Sequence, residues 1–188
     1  MIFNATEIAD VFTLELEKRE DDRGFFARGW CQHEFEDHGL PSRIVQMNIS
    51  VNRRKHTLRG FHYQVAPYQE DKLLRCIRGA VHDVLVDLRP ESPTFMRHIA
   101  LELSATNYRM LFIPKGCANA FLTLVGDTEV TYLVSEFYTP AAERGVRWDD
   151  PALAISWPAD PAVISDKDRS WPDLVTEHAR RLATADQE

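Results

Sequence analysis

Several features that mark other classes of protein are missing from this sequence. It has no run approaching the roughly 18 apolar residues that a membrane helix requires. Its first ten residues contain no basic segment followed by an apolar run, so we expect no signal peptide. The three cysteines, Cys31, Cys76 and Cys117, lack CxxC spacing, which disfavours a zinc site or a disulfide framework. We therefore expect a cytoplasmic protein with reduced thiols.

An excess of positive charge is missing too. Among 188 residues, 29 acidic side chains outnumber 22 basic ones, and the formal net charge is −7. Nonspecific nucleic-acid binding needs a basic face, so we do not expect it. A phosphorylated small ligand stays compatible with this charge, because a few Arg and Lys residues at one site suffice.

Short apolar runs separated by turn signals recur through the middle of the chain. They lie at residues 80–88, 109–113, 120–124 and 128–137. Turns spaced about 8–12 residues apart are typical of an all-β sandwich or barrel. Helical patterns are confined to residues 30–39 and 173–185, so we predict a mainly β fold with peripheral helices. Because no linker or repeat divides the chain, we predict one domain over residues 1–188, with 184–188 as a frayed tail.

One strand-like segment, Leu58–Gln64, contains a histidine beside a small residue. Strict alternation would place Arg59 and Phe61 on one face and His62 on the other. Imidazole accepts protons near neutral pH, so His62 is a candidate general base, and Gly60 would let a ligand approach closely. The alternative is a structural histidine.

Four other side chains suit the same chemistry. Lys72 leads into an apolar run, and an inward ammonium would stabilise a developing negative charge. Tyr132 lies in a strand-like run and has a phenol that could donate a proton. Asp168 lies in a turn-rich segment, and Arg23 could hold a phosphate or pair with its acidic neighbours. Each also has a plain structural alternative: Lys72 as a solvated lysine, Tyr132 as a packed core residue and Asp168 as a loop carboxylate.

Ordered motifs along residues 3–174 resemble one known family. The matching motifs lie at residues 22–26 (Asp-Arg-Gly-Phe-Phe), 46–50, 58–64 (Leu-Arg-Gly-Phe-His-Tyr-Gln), 72–75 (Lys-Leu-Leu-Arg), 83–89, 113–116, 138–140, 143–145, 148–151 and 165–168. Together they resemble the dTDP-4-dehydrorhamnose 3,5-epimerase family of cupin-like jelly rolls. The resemblance implies a β jelly roll with a few short peripheral helices. It also implies an isomerase that inverts C3, C5 or both in a nucleotide-diphosphate 4-keto-6-deoxyhexose.

The resemblance also implies roles for individual residues. His62 would remove a proton from C3 or C5, with Asp168 orienting its imidazole. Lys72 would stabilise the enolate oxygen, and Tyr132 would return a proton from the opposite face. The C4 carbonyl already acidifies both protons, so no metal, nicotinamide or flavin cofactor is implied. A metal site would also need further histidines. None lies two residues before or after His62, and residues 114–121 contain none.

A dTDP-linked nucleotide sugar is the substrate that the resemblance favours. The positions that match substrate contacts of the family are Arg23, Phe26, Gln46, Asn48, Arg59, Asn119, Tyr138, Glu143 and Lys167. The resemblance also implies a homodimer, the usual state of the family, in which N-terminal strands are exchanged and residues near Phe26 contribute to the neighbour's pocket.

Two regions depart from the family pattern. In the motif Pro-x-Gly-Phe-Ala-His-Gly-Phe, Asn119 replaces the histidine and Ala120 replaces the glycine that follows it. Arg28 stands where the family often has Glu. Asparagine can donate a hydrogen bond but cannot carry charge or shuttle a proton. The exact sugar, the nucleotide and the pathway therefore stay open. Two alternatives stay open as well: a mono-epimerase that acts on C3 or C5 only, and a non-catalytic protein that binds a nucleotide sugar.

Overall fold

Residues 1–174, the part of the chain that this computed structural model describes, form two facing antiparallel sheets and a small hairpin. In order across the first sheet, the six strands are β1 (Ile2–Ala5), β2 (Phe12–Glu15), β10 (Met110–Ile113), β7 (Lys72–Arg78), β12 (Thr128–Val134) and β5 (Gln46–Asn52). The second sheet contains β13 (Glu143–Gly145), β6 (Leu58–Gln64), β11 (Cys117–Thr123), β8 (Ala80–Asp87) and β9 (His98–Ser104). The hairpin pairs β3 (Arg19–Asp21) with β4 (Gly24–Phe26). The predicted mainly β fold is confirmed.

The helices of residues 1–174 are short and lie outside the sheets. They are α1 (Gln32–Asp37), α2 (Asp166–Arg169) and a 3-10 turn at Pro140–Ala142. The first falls within predicted residues 30–39 and buries Phe35 against Phe112. The predicted helix at 173–185 and the predicted tail at 184–188 lie outside the described residues, apart from positions 173 and 174. Within residues 1–174, no helix is long and apolar enough to cross a membrane.

Apolar side chains from both sheets fill the space between them. From the six-stranded sheet come Leu74, Cys76, Leu111, Ile113 and Val130, and from the five-stranded sheet Val81, Leu85, Leu103, Cys117 and Phe121. Alternate residues of a strand share a face, so each strand presents every second side chain to this core. The sequence after β13 packs on the outer face of the five-stranded sheet, where Leu153 and Trp157 meet Phe61. The five-stranded sheet is therefore packed on both faces. The helix α2 comes after this packed segment in the chain.

Candidate active site

A cavity of about 540 Å³ is lined by strands of both sheets. The residues that line it are Gln46, Asn48, Ile49, Ser50, Val51, Arg59, His62, Tyr63, Gln64, Glu70, Lys72, Leu74, Asn119, Phe121, Tyr132, Val134, Glu136, Tyr138 and Glu143. Most of the predicted catalytic and binding residues are among them. Their polar side chains contrast with the apolar core that the same strands build.

Strand register explains why distant residues meet here. Tyr132 of β12 pairs with Asn48 of β5. Two positions along β12, Val134 pairs with Gln46 of β5 on one side and with Lys72 of β7 on the other. Alternate positions face the same way, so these three neighbouring strands present their side chains to one cavity.

His62 and Asp168 form a hydrogen-bonded pair at the edge of this cavity. Nε2 of His62 lies 2.6 Å from Oδ1 of Asp168, and the Gly60 N–H donates to Oδ2 at 3.3 Å. Burial alone would raise the pKa of the Asp168 carboxyl, but the hydrogen bond and charge of His62, with the Gly60 N–H, hold that pKa below its ordinary value. The ionised carboxylate selects Nε2 as a donor, which leaves Nδ1 of His62 to accept a proton.

A short segment near the end of the described chain holds Asp168 in place. Asp168 lies in α2, and its N–H donates to the side chain of the N-cap residue Ser165 at 3.0 Å. Beyond the helix, Trp171 packs against Gly145, where a Cβ atom would lie 2.2 Å from the indole ring. Gly145 is the sheet partner of His62. The absence of a side chain at Gly145 therefore lets Trp171 seat α2 beside His62.

Lys72 and Tyr132 face the cavity from the sheet opposite His62. Nζ of Lys72 donates to the backbone oxygen of His62 at 3.2 Å and lies 3.2 Å from a carboxylate oxygen of Glu70. Burial raises the pKa of the Tyr132 phenol. A cation and a protonated phenol thus share the cavity with a histidine–carboxylate pair, which is a set able to remove a proton, stabilise an oxyanion and return a proton.

The simple alternation predicted for β6 is wrong at Arg59. Arg59 lines the cavity together with His62, whereas Phe61 packs in the outer apolar cluster. The cause is a shift in register between β6 and β11. His62 pairs with Asn119 and Arg59 pairs with Phe121, so two residues of β6 lie opposite a single residue of β11. The expectation that Gly60 makes room for a ligand is also wrong. Its φ is +112°, and a Cβ there would lie 2.5 Å from the backbone oxygen of Asn119, so the space is taken by β11.

Three predicted binding residues form one network beside the cavity. The Tyr138 hydroxyl donates to Oε2 of Glu143 at 2.7 Å, and Nζ of Lys167 donates to Oε1 at 2.5 Å. Burial would raise the pKa of Glu143, but these two hydrogen bonds hold it below its ordinary value. Gln46 accepts a hydrogen bond from the Tyr138 backbone N–H at 2.7 Å. Lys167 does not line the cavity and reaches it only through Glu143.

Asn119, which departs from the family pattern, lies above a buried carboxyl group. Its Nδ2 donates to Oδ2 of Asp83 at 3.4 Å, and Asp83 is fully buried. Burial raises the pKa of Asp83 to about 8, against the smaller effects of the Asn119 hydrogen bond and the Lys72 charge. Within the described residues, Oδ1 of Asp83 has no hydrogen-bond partner. Burial beside a neutral amide therefore favours the protonated form of Asp83.

Arg23, Phe26 and Arg28 do not line the cavity of their own chain. Arg23 pairs with Asp21 at 2.6 Å and has an 89% exposed side chain. Phe26, at the end of β4, is 70% exposed. Arg28 lies 3.7 Å from Glu34. The hairpin therefore brings none of these side chains to the His62 cavity of the same chain.

Sequence patterns missed Glu70, Asp83 and Glu136 as polar residues of the site, and they placed Gln64 on the strand face of His62 without giving it a role. Glu70 stands two positions before Lys72, the spacing of residues on one face of an extended chain, and this signal could have identified it. Gln64 has the same spacing from His62. Glu136 follows the end of β12 and has no comparable signal.

Residues 1–174 contain no cluster of candidate metal ligands, and their three cysteines are not joined in disulfides. No group of three or more His, Cys, Asp or Glu side chains there is placed to hold a metal ion. The three cysteines are free, and burial raises the pKa of Cys117 to about 12.

Comparison with known proteins places this site in a family. The model of the dTDP-4-dehydrorhamnose 3,5-epimerase family matches residues 5–176. The chain belongs to this family. The dTDP-4-dehydrorhamnose 3,5-epimerase of Escherichia coli K12 is 44% identical over 160 residues, which cover 85% of this chain and 86% of that relative.

Two solved structures from the same family are close in fold. The dTDP-4-dehydrorhamnose 3,5-epimerase of Bacillus anthracis, with TDP and PPi bound, is 42% identical, covers 92% of this chain and 99% of its own, and has a TM-score of 0.89. The dTDP-6-deoxy-D-glucose-3,5-epimerase of Legionella pneumophila, in complex with dTDP-4-keto-L-rhamnose, is 35% identical, covers 95% of each chain and has a TM-score of 0.88. These matches confirm the predicted family, the cupin-like fold class and the epimerase class of enzyme. The roles of individual site residues stay predictions.

Proposed function

We propose that this protein inverts C3, C5 or both in a dTDP-linked 4-keto-6-deoxyhexose by proton abstraction and reprotonation. The observation that carries the proposal is the cavity in which the His62–Asp168 pair faces Lys72 and Tyr132. The Legionella relative, whose structure holds dTDP-4-keto-L-rhamnose, supports this class of substrate.

In the proposed first step, Nδ1 of His62 takes the proton from C3 or C5. The electron pair of the broken C–H bond forms a carbon–carbon double bond, and the carbonyl electrons move to the C4 oxygen. The Lys72 ammonium stabilises the resulting enolate oxygen. Asp168 stabilises the imidazolium that forms, because its carboxylate stays ionised beside His62. The carbonyl of the substrate supplies the activation, so the step needs no cofactor.

In the second step, the Tyr132 phenol gives its proton to the carbanionic carbon from the opposite face. Support for this assignment is that Tyr132 and His62 line the same cavity from opposite sheets. Collapse of the enolate restores the C4 carbonyl with the centre inverted. His62 then releases its proton to solvent, and Tyr132 regains one.

We further propose a homodimer in which exchanged N-terminal strands place the β3–β4 hairpin against the partner's cavity. Among residues 1–174, the cavity is lined by the cationic side chains of Arg59 and Lys72 and by three carboxylates. A nucleoside diphosphate is an anion, and the exposed Arg23 of a partner hairpin would add a cation to bind it. Phe26, exposed on the same hairpin, would pack against the nucleotide or the partner.

An apolar stripe at alternate positions of the edge strand β5, whose last two members adjoin the cavity, supports the dimer. Met47, Ile49 and Val51 are exposed by 61%, 63% and 53% on an edge strand, where an unpaired apolar surface favours association with another chain. Light scattering should give twice the chain mass of 21.6 kDa. Met47→Glu should give a monomer with little activity, and a monomeric, fully active wild type would contradict the dimer.

A proton NMR assay in D2O tests the enzymatic proposal. With dTDP-4-keto-6-deoxyglucose as substrate, we expect deuterium to enter C3, C5 or both. Exchange at one carbon alone would identify a mono-epimerase. Binding of dTDP without exchange into any of several 4-keto nucleotide sugars would contradict the proposal and leave a nucleotide-sugar binder.

A further inference from the structure

A carboxylate with no assigned role lies inside the candidate active site. Glu70 lines the cavity, and only 9% of its side chain is exposed. One of its oxygens, Oε1, lies 3.2 Å from Nζ of Lys72, whose side chain is 10% exposed. The other oxygen, Oε2, is buried and has no hydrogen-bond partner within the described residues. Burying a carboxylate that is only half satisfied costs stability, so its retention at this point calls for a functional reason.

The backbone next to Glu70 is tightly fixed. The Asp71 carboxylate accepts hydrogen bonds from the Lys115 N–H at 2.9 Å and from the Ser135 hydroxyl at 3.1 Å. The Asp71 N–H donates to the Ser135 hydroxyl oxygen at 2.7 Å, and the Ser135 N–H donates to the Asp71 backbone oxygen at 3.0 Å. These contacts join the segment before β7 to the ends of β10 and β12. Glu70 is therefore held on a rigid support and not on a free loop.

We propose that Glu70 is a positioning residue that fixes the Lys72 ammonium for the oxygen of the reacting carbonyl. An ammonium group has three N–H donors. One of them goes to the His62 backbone oxygen, and the Glu70 carboxylate forms an ion pair with the same Nζ at 3.2 Å. Held from these two sides, the ammonium keeps a donor for the enolate oxygen. This inference rests on the epimerase function proposed above.

Glu70 also acts on the proposed proton donor. Burial raises the pKa of Tyr132, Arg59 lowers it, and the charges of Glu70 and Glu143 raise it. The titratable and charged side chains that line the cavity with Tyr132 are Arg59, His62, Tyr63, Glu70, Lys72, Glu136, Tyr138 and Glu143. Of these, Glu70 is the carboxylate that also pairs with Lys72, so one group holds the ammonium in place and helps to keep the phenol protonated.

Glu70→Gln tests this role because it keeps the size of the side chain and removes its charge. We expect kcat for deuterium incorporation into dTDP-4-keto-6-deoxyglucose to fall about tenfold or more, with KM changed less than about threefold. The alkaline limb of the kcat profile should move to lower pH, because Tyr132 loses one of the charges that raise its pKa. The matched control is Glu129→Gln, on the same strand as Tyr132 but paired with Arg78 outside the cavity. It should leave both kcat and the pH profile unchanged.

Glu70→Asp separates charge from position. It should keep the alkaline limb near that of wild type, because the charge stays, while kcat falls, because the shorter side chain no longer reaches Lys72 correctly. It also serves as the decisive variant if Glu70→Gln does not fold. Wild-type kcat and an unmoved alkaline limb in Glu70→Gln, or wild-type kcat in Glu70→Asp, would overturn the role of Glu70. A wild-type enzyme without exchange would instead contradict the proposed function itself.

Discussion

The space between the two sheets differs at its two ends, although the same strands build both. On β7, Lys72 faces the cavity while Cys76, four residues along, is buried in the apolar core. On β12, Tyr132 faces the cavity while Val130 belongs to the core. The backbone of the two sheets continues through both ends. The ends therefore differ only in which side chains the strands present to the space between the sheets. Chemistry and stability are therefore assigned to different inward positions of the same strands.

The two ends should also contribute to stability in opposite ways. The apolar end stabilises the fold by removing side chains such as Leu111 and Leu85 from water. The polar end buries Lys72, Glu70 and Asp83, and two of these have an oxygen without a partner in the described chain. Such groups cost stability and are retained where function needs them. Mutations at the two ends should therefore separate activity from stability.

Apart from removal of the general base, the largest effect is expected for Lys72→Met at the polar end. The substitution keeps the length of the side chain and removes its charge, so the enolate oxygen loses its stabilising cation. We expect kcat to fall by about 10²–10³-fold. Initial rates of deuterium incorporation measure this, and a loss smaller than about threefold would remove Lys72 from the mechanism.

A somewhat smaller effect is expected for Tyr132→Phe. Without the phenol proton, reprotonation from the opposite face fails, whereas His62 can still remove and return a proton on its own face. Inversion should slow by about 10²-fold while deuterium still enters the starting sugar. NMR of substrate and product distinguishes the two outcomes. Equal losses of exchange and inversion would contradict a separate role for Tyr132.

At the apolar end, Leu111→Ala should change stability and leave the chemistry intact. Leu111 is 0% exposed, and truncation of such a side chain costs about 2–5 kcal/mol in the free energy of unfolding. Urea denaturation measures this cost. The variant should keep wild-type kcat at temperatures where it stays folded, and a large loss of kcat there would show that the two ends are not independent.

The smallest effect is expected for Asp83→Asn, below Asn119. The pKa of Asp83 is about 8 in the folded protein, above that of an unfolded carboxyl, so the folded chain binds a proton that the unfolded chain has released. Stability from this group therefore falls as pH rises from about 4 to about 8. Asparagine does not titrate, so the melting temperature of the variant relative to that of wild type should be higher at pH 8 than at pH 5. Asp160→Asn, at an exposed position, is the control and should show no pH-dependent gain.

Local patterns predicted much of the fold, with errors at strand ends. The run predicted at 120–124 belongs to a strand that begins at Cys117. Cys117, Ala118 and Asn119 are small or polar and are buried on both faces, so they give no apolar run from which the start could be identified. A single domain over residues 1–188 and a cytoplasmic location stay predictions.

The site was less accessible to local patterns because its contacts are long-range. His62 meets Asp168 across 106 positions of sequence, and only the family resemblance linked them. Arg59 was assigned to the wrong face because the register shift is set by its pairing with β11. Glu70 was missed although its spacing from Lys72 matches one face of an extended chain. Alternation predicts faces well, but it fails where a neighbouring strand changes the register.

The most direct test of the central claim compares wild type with His62→Ala in D2O, using dTDP-4-keto-6-deoxyglucose and proton NMR. Wild type should exchange the proton at C3, C5 or both. The variant should lose this exchange by about 10²–10⁴-fold, because its general base is gone, while dTDP binding and the melting temperature stay close to those of wild type. Exchange that persists at the wild-type rate in His62→Ala, or that is absent from wild type, would contradict proton abstraction by His62.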